Sequence, residues 1–101
     1  MFEHKVEILM SEMDGANRYA PAAGLELTTV PDGTMIYQAS RERVHYLNPT
    51  ATIVFQLCDE GKTVSEIEQF IADSFDLAAV PREEVRACVK SLLDEGLVTS
   101  R

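Results

Sequence analysis

The chain has 101 residues, which suits one domain and is too short for two independent cores. Apolar residues make up 46% and charged residues 26%, an ordinary globular composition that can fold without a metal or disulfide staple. The net charge of −8, from seventeen acidic and nine basic residues, argues against a general nucleic-acid binder, because phosphate contacts dominate such affinity.

Cys58 and Cys88 each lie in an apolar helical pattern, with no CxxC and no histidine at ligand spacing. They read as small buried hydrophobes. His4 and His45 stand alone, so no metal site is expected. No stretch reaches the roughly 18 apolar residues that span a bilayer. Met1–Met13 carries acids throughout and lacks a signal peptide's apolar core and cleavage site. The expectation is a cytoplasmic protein with no membrane contact.

In chain order, residues 1–22 read as an N-terminal extension to a domain over 23–101. Val6–Met10 fits a short strand or a helical turn, and Asp14-Gly15-Ala16-Asn17 and Ala20–Gly24 interrupt any continuation. The extension is placed either on the domain or on a second copy, and a homodimer exchanging it is compatible with the sequence. Leu25–Val30 is rich in β-formers and ends at the turn signal Pro31-Asp32-Gly33. Met35–Ala39 follows, then the polar turn Ser40-Arg41-Glu42, then a third strand, Arg43–Leu47. Three short strands need a helical layer over one face.

Residues 48–96 supply that layer. Asn48 caps a helix with Pro49 at its first position, running to about Asp59 with Ala51, Val54, Phe55 and Cys58 at core spacing. Thr63-Val64-Ser65-Glu66 is a capping box opening a second helix, whose predicted core face is Val64, Ile67, Phe70, Ile71 and Phe75. Pro81 starts a third, with Glu83 and Glu84 in its first turn, apolar positions Val85, Cys88, Val89, Leu92 and Leu93, and Gly96 as its stop. Leu97-Val98-Thr99 adds a short extended segment. The order βββααα predicts an α+β, winged-helix-like domain: a three-stranded antiparallel meander followed by three helices.

Two signatures run through this pattern: Val44-His45-Tyr46-Leu47-Asn48-Pro49-Thr50-Ala51 followed by Leu57–Ile67, and Val85 followed by Leu92-Leu93-Asp94-Glu95-Gly96-Leu97-Val98. In order and spacing they resemble the PqqD-like family over roughly residues 24–99. That family shows a Leu-Asn-x-x-Ala helix start, an acidic-Gly turn, a Thr-Val-x-Glu-Ile helix start and a closing Leu-x-x-x-Gly-Leu. The resemblance implies binding of the leader segment of a ribosomally made precursor peptide and its presentation to a maturase, often a radical SAM enzyme, as in pyrroloquinoline quinone biosynthesis. The same recognition element recurs in lasso-peptide and other peptide-modification systems.

The resemblance also implies where the leader sits: added to the third strand at Arg43, Val44, His45, Tyr46 and Leu47, and lying against the third helix. On that helix the candidate contacts are Arg82, Val85, Arg86, Val89, Lys90 and Leu93. Arg82, Arg86 and Lys90 recur every four residues and form one basic stripe. The stripe has two readings: it attracts acidic leader side chains, or it is a solvated face balanced by Glu83, Glu84 and Asp94. Tyr37 and Tyr46 read as core aromatics, His45 as a solvent-facing histidine and Asn48 as a cap.

No nucleophile–base pair, phosphate loop or metal cluster is visible, so neither catalysis nor a cofactor is expected. A winged-helix DNA-binding transcription regulator is the alternative, with Pro81–Glu95 as recognition helix and Arg82, Arg86 and Lys90 on phosphates. The acidic net charge, and Glu83 and Glu84 at that helix's start, oppose it. A scaffold or dimerisation module using residues 1–22 is a third possibility.

Overall fold

The computed structural model describes residues 14–101, so the reading of Val6–Met10 lies outside the described residues. A short strand β1 (Tyr19–Pro21) precedes the meander of β2 (Leu25–Val30), β3 (Gly33–Gln38) and β4 (Arg43–Leu47). The meander is antiparallel in the order β2-β3-β4, which leaves β4 at an edge. Gly33 permits its close packing, because a Cβ there would collide with the carbonyl oxygen of Leu47. A 3-10 turn over Ala39–Arg41 joins β3 to β4.

Three helices follow as the order of signals predicts: α1 (Pro49–Asp59), α2 (Val64–Ser74) and α3 (Arg82–Asp94). Asn48 Oδ1 accepts the Ala51 N–H at 2.8 Å, satisfying one of the unpaired donors of α1's first turn. At α2 the capping box closes both ways: the Glu66 N–H donates to Thr63 Oγ1 at 3.1 Å, and the Thr63 N–H to Glu66 Oε1 at 2.8 Å. Gly96 ends α3 at φ +73°, a left-handed conformation that strains other residues.

The last strand, β5 (Val98–Ser100), pairs antiparallel with β1 in a second, two-stranded sheet. Residues 14–22 thus pack on the domain. Tyr19 is fully buried, and the carbonyls of Asn17 and Gly15 accept the first N–H groups of α2, from Val64 at 3.0 Å and Ser65 at 2.9 Å. The core between sheet and helices holds Ile36, Val54, Phe55, Cys58, Ile67, Val85, Val89 and Leu92. Each large aliphatic or aromatic side chain there contributes about 1.5–3 kcal/mol by leaving water. Among the described residues no helix is long and apolar enough to cross a membrane.

Three expectations change. Tyr37 and Tyr46 are exposed rather than core, as is Val44 at 61%. Register explains this: Ile36 and Gln38 face the helices, so their partners His45 and Arg43 share that side, while Met35 and Tyr37 share the outer face with Tyr46 and Val44. His45 is accordingly half-buried rather than solvent-facing. On α2 the buried face is Val64, Ile67, Glu68, Ile71 and Ala72. Phe70 points off it, and Phe75 lies beyond the last helical residue, leaving both exposed.

Candidate functional site: a groove along the free edge of β4

Among the described residues β4 pairs with β3 on one side only, and its other side opens on a groove of about 710 Å³ bounded by α3. Val44, His45, Tyr46 and Leu47 form one wall, continued by Asn48, Thr50 and Ala51 at the start of α1. The opposite wall is a stripe of α3 at three- and four-residue spacing: Glu84, Ala87, Cys88, Ser91, Leu92 and Glu95, with the buried Leu97 beyond. Small side chains in the middle of that stripe leave the space open. α3 runs against β4, with Glu95 at the Arg43 end and Glu84 at the Thr50 end.

One buried amide fixes the Glu95 end. Gln38 Nε2 donates to the Glu95 carbonyl at 3.0 Å and the Gly96 carbonyl at 3.4 Å, while Arg41 Nη1 donates to the same Glu95 oxygen at 3.0 Å. Gln38 Oε1 lies 2.8 Å from His45 Nε2, so the imidazole donates there. His45 Nδ1 then faces Glu95 Oε1 at 3.9 Å, and Arg43 Nη1 reaches the same carboxylate oxygen at 3.1 Å. This cluster holds the C-terminal end of α3 against the β3–β4 hairpin, and none of the described residues pairs with the outer edge of β4. An uncovered edge presents N–H and C=O groups to which an extended chain can add.

The candidate contacts predicted on α3 fall elsewhere. Val85 and Val89 are buried in the core, and Leu93 packs partly buried against it. Arg86 and Arg82 turn to Glu68 of α2, at 2.6 and 3.8 Å, and Lys90 bonds Asp94 at 3.0 Å. None of these six lines the groove, and Arg43 sits at its end on Glu95. The balance assumed for the stripe also changes. Arg82 and Arg86 share Glu68, on a different helix and only 2% exposed, and a carboxylate so placed requires cationic partners. Glu84, Ala87, Cys88, Ser91 and Glu95 were not picked out as groove residues by sequence reasoning; the small residues at 87, 88 and 91 were the available signal.

Both cysteines are free thiols. Burial pushes the Cys88 thiol up to about 11, and burial followed by the neighbouring Cys88 does the same for Cys58. Thiols so perturbed stay protonated near neutrality and make poor nucleophiles. Among the described residues no group of histidine, cysteine and carboxylate side chains could hold a metal ion.

The family described as Coenzyme PQQ synthesis protein D (PqqD) matches residues 33–98, from the first residue of β3 to the first of β5. The chain belongs to the PqqD family. The match lies within the span 24–99 delimited by the sequence motifs, and it contains both walls of the groove. Solved structures share the fold. "TbiB1 in Complex with the TbiA(beta) Leader Peptide" is 17% identical with a TM-score of 0.64, covering 78% of this PqqD-family chain and 93% of that chain. "Lasso peptide synthetase B1 complexed with the leader peptide" is 19% identical with a TM-score of 0.66, covering 80% and 96%. No curated protein sequence matches the chain.

Proposed function

We propose that this chain binds the leader segment of a ribosomally synthesised precursor peptide as a strand added to β4, and presents it to a separate modifying enzyme, such as a radical SAM maturase. The observation that carries this reading is the edge of β4, unpaired among the described residues, facing α3 across an open groove. Family membership supports it, as do the leader peptides named with TbiB1 and the lasso peptide synthetase B1. The chain acts as a holder rather than an enzyme, in the cytoplasm where precursor peptides are made.

Magnitudes divide the work between backbone and side chains. About four ladder hydrogen bonds at about 1 kcal/mol each give roughly 4 kcal/mol before ordering costs. Micromolar affinity needs about 8 kcal/mol. The difference falls to side chains of the peptide entering the groove over Ala87, Cys88 and Ser91, at about 1.5–3 kcal/mol for each apolar anchor buried. DNA recognition by α3 finds less support, because Arg82 and Arg86 are engaged with Glu68 and Glu83 and Glu84 occupy the helix start.

Calorimetry with a peptide selected for binding to this chain tests the reading, using Val44→Pro and His45→Pro as a pair. Adjacent residues of a strand point their N–H groups to opposite sides. One proline therefore removes a β3–β4 bond and lowers Tm, while the other removes a donor aimed into the groove. The second variant stays folded and loses binding. Equal peptide affinity in both, or a duplex DNA shift at physiological salt with no response to peptide, would sink the proposal.

A further inference from the structure

A second hollow, of about 450 Å³, opens where the groove ends beside α1. Ile71, Phe75 and Leu77, from the end of α2 and the loop after it, give it apolar walls, completed by Pro81 and Val85. Phe75 and Leu77 are large hydrophobic side chains left exposed. Glu84 is the one charged residue among the described residues that line it. Glu84 and Thr50 line both the hollow and the groove, so a chain lying along β4 passes directly from one to the other. Among the described residues no cation pairs with Glu84: Arg82 and Arg86 turn to Glu68, Lys90 to Asp94 and Arg43 to Glu95.

Building on the peptide-binding reading, we propose that this hollow is a subsite for a lysine or arginine side chain of the bound peptide, its aliphatic stem against Ile71, Phe75 and Leu77 and its charge on Glu84. An apolar wall ending in one carboxylate matches a side chain with an apolar stem and a cationic tip. Phe75 adds a ring face of the kind that attracts such a tip. A purely apolar side chain would cover the Glu84 carboxylate without giving it a partner, and an acidic one would meet like charge. The net charge of −8 draws basic segments from a distance. The groove therefore selects a peptide with a basic residue at the end beside Leu47. This reverses the leader charge that the Arg82/Arg86/Lys90 stripe suggests.

Selection of a random phage-displayed peptide library against the wild-type chain, E84Q and E84K tests the subsite. Glu84 is exposed in α3's first turn and Glu83 remains there to favour the helix dipole, so both variants should fold, as a thermal melt verifies. Peptides enriched by the wild type should carry Lys or Arg at one fixed position, and E84K should enrich Asp or Glu there instead. A wild-type-selected peptide should bind E84Q about two- to fivefold more weakly, the range of a partly exposed ion pair. Peptides enriched without a positional charge preference, or with the same preference in E84K, overturn the subsite and leave strand addition standing. Failure of the wild type to enrich any peptide overturns the groove reading and the subsite together.

Discussion

Arg86 reaches across from α3 to place its Nε 2.6 Å from Oε2 of Glu68, a carboxylate almost wholly buried on α2. The contact ties the two helices together and turns the basic stripe away from the groove. Breaking such a pair leaves an uncompensated buried charge, at a cost of about 3 kcal/mol or more. Arg86→Glu adds like-charge repulsion. It should lower Tm by more than about 10 °C, given about 4–8 °C per kcal/mol for a domain of this size. Arg86→Met should cost less than Arg86→Glu. An Arg86→Glu protein with wild-type Tm and weakened peptide affinity would return the stripe to the binding surface.

The capping box of α2 carries a pH-dependent contribution. The Thr63 backbone N–H, foremost among several influences, holds the Glu66 carboxyl below its ordinary value. A carboxyl depressed on folding adds stability above its unfolded pKa and loses it as pH falls through the folded value. Glu66→Gln should therefore lower Tm near pH 7, and its difference from wild type should shrink as the pH falls below about 4. Thr63→Ala should cost about 1 kcal/mol. A Glu66→Gln difference that is constant from neutral to acid pH would contradict this assignment.

Cys88 reports on occupancy of the groove. With its thiol pushed up to about 11, only about one in ten thousand molecules is a thiolate near pH 7, so alkylation is slow and accelerates about tenfold per pH unit below that value. A bound peptide should slow it further, because Cys88 lines the groove. Cys88→Ala should leave little labelling under native conditions, since Cys58 is fully buried. Mass spectrometry measures both rates. An alkylation rate unchanged by saturating peptide would place the peptide elsewhere.

Much of this fold was legible because local signals agree with tertiary packing. Asn48-Pro49, the Thr63–Glu66 box and Gly96 mark helix ends through backbone chemistry that needs no partner element. β4 was legible as a strand, and the structure sets Val44 to Leu47 along one groove wall. The opposite wall was not legible, because helical periodicity gives the spacing of a face but not which neighbour it meets. Glu68 decides that question for α3, and its burial depends on how α2 packs. Gln38 is a similar case: a strand glutamine looks solvated until Glu95 and Gly96 arrive from 57 and 58 residues along the chain. The pairing of β1 with β5 is also invisible locally, since it joins segments from opposite ends of the described chain.

Backbone amide exchange across Arg43–Leu47, measured with and without a selected peptide, tests strand addition most directly. The amides of β4 that point away from β3 should exchange rapidly in the free protein, since none of the described residues pairs that edge. Saturating peptide should slow them by an order of magnitude or more, with the amides bonded to β3 changing far less. Binding that leaves every β4 amide at its free rate, with protection confined to the outer sheet face or to the Arg82–Arg86 side of α3, would contradict it.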